Sequence, residues 1–519
     1  MRMRIVRLVS VPILLLILAS PFRFGLAHSQ EEGLQDLDAY IARAMREWEV
    51  PGLALGVVKN DVLVLAKGYG VKRLGDPAPV TERTIFAIGS ASKAFTTAAL
   101  AMLVEEGKIQ WDDPVLKYLP DFQLFDPYVT RELTIRDLVT HRSGLERADL
   151  LWYGATYDRE EIVRRIRFLK PRWSFRSHFG YQNILYLVAG QVIRAVTGKT
   201  WDEFIRERIF QPLGMAASTT SVKALRAASD VATPHAKIED VVRPIPWRDI
   251  DNIAPAGSIN SNVLEMAEWI RLHLNEGTHR GRQFWSAAAE REMQTPQTII
   301  RPEPPYSTLF PEARFLTYGL GWFLHDYRGR KIVEHGGNID GMSALVVLVP
   351  EEKLGAVILT NMNGTLLVHA LKYRILDAFF GAPPRDWSAE FLKRAKALQE
   401  QQQAAVKRIE DARVMGTKPA LPLAHYVGTY ANDVYGEVSV AEEEGKLVLR
   451  FGPTRVGDLE HWHYETFRVR WRDPLFPRAF AIFVPNVEGK VNELRMTISG
   501  LFEDLAFKRV LPKEEGRER

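Results

Sequence analysis

The stretch Phe86-Ala-Ile-Gly-Ser-Ala-Ser-Lys-Ala-Phe-Thr-Thr-Ala-Ala-Leu100 places a hydroxyl, Ser90, three residues before an amine, Lys93. Phe95, Ala98, Ala99, Met102 and Leu103 recur at helical spacing and Gly107 supplies a stop, so the stretch reads as one buried helix beginning near Ser90. Residues three apart share a helix face, which brings Lys93 within reach of Ser90 as a nucleophile beside a candidate base. A lone Ser-x-x-Lys is more often a cap followed by a solvated lysine. Here the small, apolar flanks point to burial, and the positive end of the helix dipole disfavours a cation; both favour the neutral amine, which can accept a proton. Ser92 has no basic residue three or four positions on.

Two more groups stand downstream. Tyr181-Gln-Asn183 follows a loop and opens an amphipathic helix through Ile184, Leu187, Val188 and Val192 to Gly198. A capped helix start and a phenol and amide facing the lysine both fit it. His335-Gly336-Gly337 sits on a strand after Tyr318-Gly-Leu-Gly-Trp322. A plain turn and a strand left bare for a substrate to lie along both fit these glycines.

The elements that must position these groups follow in order. Residues 34–48 read as a helix, Leu53–Val58 and Val62–Lys67 as a hairpin around Asn60-Asp61, and 133–140 as a short helix running into the turn His141–Leu145. Helices are expected at 201–210, 259–276 and 365–379, and strands at 318–324, 331–334, 344–349 and 356–360. Residues 216–253 lack a period and read as a surface excursion, and 295–312 as a Pro-rich loop. Strands at both ends with helices between them predict an α+β fold with an antiparallel sheet flanked by helices over residues 34–385. Residues 386–420 read as a helical, Pro-ended linker. Period-two alternation over 421–512, as in Phe480, Ile482 and Val484, predicts a small all-β barrel or sandwich.

Arg2, Arg4 and Arg7 precede the apolar run Val11–Ala19, and Gly25-Leu-Ala27 offers a cleavage site, so residues 1–27 read as a signal peptide and the protein as exported, periplasmic or secreted, with no stable membrane insertion after cleavage. The four arginines of that segment account for the formal charge of +4, and no dense basic block remains, which argues against nucleic-acid binding. Without cysteine there is no disulfide and no thiolate metal site. His461 and His463 share a strand face but have no nearby third ligand, so no metal or other cofactor is expected. Asp112-Asp113, before Pro114, reads as turn chemistry.

Ser90-Ala-Ser-Lys93, Tyr181-Gln-Asn183 and His335-Gly-Gly337, in this order and in helix, loop and strand contexts, resemble the penicillin-recognising serine hydrolases. The similarity is to the branch of class C β-lactamases, D-alanyl-D-alanine carboxypeptidases, D-aminopeptidases and esterases, and it covers about residues 35–385. His141-Arg-Ser-Gly-Leu145 and Gln211-Pro-Leu-Gly-Met215 resemble recurring family segments, and 421–512 resembles the lipocalin-like barrel of some exported members. The resemblance implies that Ser90 forms an acyl-enzyme and that Lys93 takes its proton, directly or with Tyr181. It further implies that Tyr181 serves the leaving group and the deacylating water, that Asn183 bonds Lys93 and substrate, and that the backbone amides of Ser90 and Asn338 hold the oxyanion. His335, Gly336 and Gly337 would line the substrate.

One departure stands out. Many β-lactamases and carboxypeptidases have Lys-Thr-Gly where this chain has His335-Gly-Gly337, and histidine, half-charged near mildly acid pH, would be a weaker, pH-dependent carboxylate anchor. The resemblance therefore implies a hydrolase of small D-amino-acid peptides, with a carboxylesterase, a β-lactamase and a slowly turning over penicillin-binding or sensor protein as alternatives. The expected partner is a small-molecule or peptide substrate, a homo-oligomer remains compatible, and the barrel is expected to act as a lid or partner contact over the site.

Overall fold

The structure is a computed structural model that describes residues 36–499 and 502–511. The expected signal peptide, and the outer ends of the expected domains at 34 and 512, lie outside the described residues.

The chain opens with helix α1 (Leu37–Glu47), whose Leu37, Ile41, Ala44 and Met45 recur on one buried face. A hairpin follows, β1 (Gly52–Lys59) and β2 (Val62–Gly70), its turn made by Asn60 and Asp61 at positive φ. Helix α2 (Ser92–Glu105) comes next and is buried on all sides from Ser92 to Leu103. It is preceded by a single tight turn at Gly89–Ala91, so Ser90 stands just ahead of the helix rather than within it. Helix α3 (Ile184–Thr197) ends at Gly198 in the left-handed conformation. The helix expected over 201–210 loosens into a π turn at Arg206–Phe210. Within 216–253 lies a hairpin, His235–Ile238 with Val241–Pro244, buried only at His235 and Ala236, so the segment is not purely a surface excursion. Helix α4 (Val263–Leu274) packs Trp269 flat on Phe95 of α2, centroids 3.8 Å apart.

The remaining strands are β3 (Thr298–Ile299), β4 (Leu316–Tyr318), β5 (Phe323–Tyr327), β6 (Arg330–Ile339), β7 (Met342–Val349) and β8 (Leu354–Thr360). The strand expected over 318–324 is two strands, because Gly319–Trp322 turns back against Thr97 of α2. The sheet runs β2-β1-β8-β7-β6-β5-β4-β3, antiparallel throughout, and Leu53 opposite Thr360 joins the two ends of the domain. One face packs on α2 and α4. The other packs on α1, on α5 (Leu367–Phe379) and, through Trp387 and Phe391, on α6 (Trp387–Asp411).

Beyond α6, eight strands close into a barrel: β9 (Gly428–Asn432), β10 (Gly436–Glu443), β11 (Lys446–Arg450), β12 (Val456–His463), β13 (Thr466–Trp471), β14 (Ala479–Pro485), β15 (Val491–Ile498) and β16 (Phe502–Arg509). Tyr430 opposite Arg509 makes the closure, which decides barrel over sandwich. Its interior is filled by Tyr426, Tyr430, Phe467 and Phe483 stacked edge to face. No helix among the described residues is long and apolar enough to cross a membrane.

Candidate active site

Ser90 is held where the chain passes closest to the sheet. Gly89 has φ +52°, and a Cβ on it would lie 2.7 Å from the Asn338 amide nitrogen. A Cβ on Gly337 would fall 1.8 Å from the Ile88 carbonyl oxygen and 2.8 Å from the Ser90 nitrogen. The absent side chain of Gly337 is thus replaced by the backbone of 88–90, not by a substrate, whereas Gly336 meets nothing closer than 3.6 Å and stays half-buried. The consequence is that the amides of Ser90 and Asn338 are brought side by side. Ser92 locks the same turn from behind, donating to the Gly89 carbonyl (2.7 Å) and accepting from the Ile259 amide (3.1 Å).

Lys93 is fully buried, and its Nζ lies 3.0 Å from Ser90 Oγ, 2.8 Å from Asn183 Oδ1 and 2.8 Å from the Ala256 carbonyl. Burial holds its pKa well below that of a free lysine; the nearby Arg147 charge acts in the same sense and Asp149 opposes it. A neutral amine has two hydrogens and one lone pair. Asn183 Oδ1 and the Ala256 carbonyl can only accept, so they take the hydrogens and leave the lone pair toward Ser90. The amide orientation of Asn183 is itself determined: its Nδ2 donates to Asp149 Oδ1 (3.0 Å), a carboxylate that also takes Trp152 Nε1–H (2.8 Å) and Arg147 Nε–H (2.7 Å).

The Tyr181 hydroxyl faces Ser90, which acts on it to oppose the effect of burial, and Lys93 Nζ lies 4.9 Å from the Tyr181 ring centroid. Burial raises the Tyr181 pKa above that of a free phenol, so the group stays protonated at neutral pH. Behind it His141 packs ring on ring at 4.2 Å and accepts the Gln182 amide hydrogen at Nδ1 (3.1 Å), so the segment at 141 does more than turn the chain.

His335 does not present a charge. It is buried, its Nδ1–H donates to the Gly336 carbonyl (2.6 Å) and its Nε2 accepts from the Tyr318 hydroxyl (2.9 Å). Burial, reinforced by Lys93, pushes its pKa down to about 3. The expectation of a half-charged, pH-dependent anchor is corrected: at mildly acid pH this imidazole is neutral and already engaged on both nitrogens. Arg147, Asp149, Trp152 and the Ala256 carbonyl carry no motif and were not identified from sequence; the one available signal was the density of aromatics and arginines after 145.

No group of three or more His, Asp or Glu able to hold a metal occurs among the described residues. His461 Nε2 faces the Tyr464 carbonyl and His463 Nδ1 accepts from the Val414 amide. Asp112 pairs with Arg136, and Asp113 accepts from the Gln110 amide and Lys117.

Comparison with known proteins gives two family matches, β-lactamase over residues 37–379 and a domain of unknown function (DUF3471) over 412–509. The unguisins hydrolase ungD of Aspergillus violaceofuscus is 31% identical over 451 residues, covering 79% of this chain and 77% of that protein. Among solved structures, the octameric penicillin-binding protein homologue from Pyrococcus abyssi superposes with TM-score 0.60 at 22% identity, over 92% of this chain and all of its own. A D-stereospecific amidohydrolase from Streptomyces does so with TM-score 0.53 at 23% identity, over 68% and 98%.

Proposed function

The chain belongs to the β-lactamase family and is a serine hydrolase, and from that premise we propose that it is an exported enzyme that cleaves small D-amino-acid peptides through an acyl-enzyme on Ser90. The observation that carries the reading is the lone pair of Lys93 facing Ser90 Oγ at 3.0 Å. As Ser90 Oγ bonds the scissile carbonyl carbon, its proton passes to Lys93, and the oxyanion is met by the amides of Ser90 and Asn338. The C–N bond then breaks, with the proton returned to the leaving amine from Lys93 by way of the Tyr181 phenol. Water then attacks the acyl carbon and gives its proton along the same path to Lys93; the Ser90 Oγ–C bond breaks, Ser90 Oγ takes that proton back and the acid is released.

The D-configuration is supported by the D-stereospecific amidohydrolase among the fold neighbours, and export by the arginines and apolar run of residues 2–19. A neutral His335 removes the cation that would grip a carboxylate beside the scissile bond. That favours amides and esters lacking such a carboxylate, keeps a carboxylesterase as the second reading and weighs against efficient β-lactam hydrolysis. The test is intact-mass spectrometry after treatment with a fluorophosphonate and, separately, a penicillin, with Ser90→Ala as control. Stoichiometric fluorophosphonate labelling that vanishes in Ser90→Ala is expected. An unlabelled wild type refutes the nucleophile, and a lasting penicillin adduct would move the slow penicillin-binding reading to first place.

A further inference from the structure

Against the Ser90 site lies a recess of about 280 Å³ whose walls come from both domains. Trp152 and Tyr153 form one side, the Asn338–Asp340 end of β6 a second, and Leu475 and Pro477 of the barrel the third. At one edge the recess reaches Arg147, whose guanidinium lies 5.1 Å from the Tyr181 ring centroid, and at another it reaches Asn338, beside Ser90.

The barrel segment 472–478, between β13 and β14, is pinned in place. Phe476 is buried edge-on against Tyr153 (centroids 5.3 Å) and over Gly154, where a Cβ would meet its ring at 2.7 Å. Arg248 ties Asp473 to the catalytic domain: its Nη2 donates to Asp473 (2.7 Å) and its Nε to Asp340 (2.6 Å), two residues beyond Asn338. Arg455, 2% exposed, donates from the barrel to the Leu150 carbonyl (2.9 Å). Between these pins Leu475 and Pro477 stay half-exposed and border the recess.

The charges around the recess are matched internally. Asp340 is taken by Arg248 and the Tyr153 hydroxyl (2.9 Å), and Asp149 by Arg147, Trp152 and Asn183. What is left to meet a ligand is chiefly the apolar and aromatic surface, with the exposed Arg147 guanidinium at the rim and the amides of Asn338 and Asn363 beside it. The volume suits one side chain and lies below the roughly 300–1,000 Å³ of pockets that enclose whole ligands.

We propose that this recess is the specificity pocket for the substrate residue next to the scissile bond, that it takes an uncharged apolar or aromatic side chain, and that Leu475 and Pro477 of the barrel form its outer wall. The assignment rests on the hydrolase reading above and adds to it the chemistry of the side chain selected.

The test uses the full-length protein and p-nitrophenyl esters of acetic acid, N-acetyl-leucine and N-acetyl-phenylalanine, the amino acids in both configurations. The readout is the ratio of kcat/KM for each aminoacyl ester to that for the acetate. Leu475→Trp should lower the phenylalanyl ratio by roughly tenfold or more, the scale on which pockets discriminate small differences in apolar bulk. Leu475→Ala should shift the preference from leucyl toward phenylalanyl, and Arg248→Met, which frees the wall and leaves Asp340 to the Tyr153 hydroxyl alone, should raise KM for both aminoacyl esters. Ratios within twofold of wild type in all three variants, with Ser90 still labelled by the fluorophosphonate at the wild-type rate, overturn the pocket while leaving the hydrolase standing. A wild type that is not labelled at Ser90 overturns both.

Discussion

Asn183 Oδ1 lies 2.8 Å from Lys93 Nζ because the other half of the same amide is claimed by Asp149, 3.0 Å away. Asp149 thereby acts at a distance from Ser90, aligning the lysine lone pair through an intermediate side chain. Asp149→Asn should lower kcat by roughly tenfold or more on a small ester, with KM little changed, since the Asn183 amide is then free to turn over and compete for the lysine. The variant also removes the negative charge that raises the Lys93 pKa and leaves Arg147, which lowers it, unpaired. The acid limb of the kcat/KM profile should accordingly move to lower pH; a limb that moves up or stays put counts against this role.

Lys93→Met should cost about two to four orders of magnitude in kcat, the usual worth of a positioned general base. Lys93→Arg should be no better, because guanidinium does not give up its proton. Steady-state ester hydrolysis checks both, with the thermal midpoint confirming that each variant folds.

Gly337→Ala would drive a methyl into the Ile88 carbonyl and part β6 from Ser90. A displacement of about 1 Å at a reacting centre costs on the order of a hundredfold, so activity should fall at least that far. Gly336→Ala meets nothing nearer than 3.6 Å and should leave the melting temperature within a degree or two of wild type, about the effect of an uncrowded surface change. Equal destabilisation by both substitutions would contradict the close approach.

His369 on α5 is buried beside Phe310 and Phe391, its Nδ1 is without a partner, and Lys372, Glu334 and His325 are its charged or titratable neighbours. Burial pushes its pKa down to about 3, so between that value and the ordinary 6.5 the unfolded chain binds a proton that the folded chain does not. Stability is therefore lost as pH falls through this window, by up to about 1.4 kcal/mol per pH unit for one such group. His335, likewise at about 3, adds to the slope in the same sense. His369→Phe should flatten the dependence of urea midpoint on pH between 6 and 4; an unchanged slope would mean that His369 is already protonated in the fold.

Several features could be read without the structure because their causes are local. Asn60-Asp61 tolerate positive φ and close the first hairpin, Gly198 stops α3, and period-two alternation marks barrel strands such as β14. The Gly-Leu-Gly turn after Tyr318 misled the strand assignment, since its reversal depends on packing against Thr97 of α2, more than two hundred residues away.

By itself the sequence determined the family, the α+β and all-β halves, and the pairing of Ser90 with Lys93, since a three-residue spacing is set by backbone geometry wherever the chain lies. Tertiary structure alone decided which way Lys93 presents its lone pair, that His335 is neutral, that Gly337 serves packing and that a barrel segment borders the cleft. Each of these depends on groups far apart in the chain: Asp149 on Asn183, Ala256 on Lys93, Tyr318 on His335, Ile88 on Gly337, Arg248 on Asp473. Protonation and hydrogen-bond direction follow from burial and from the full set of neighbours, and both come into being only when the chain has closed on itself.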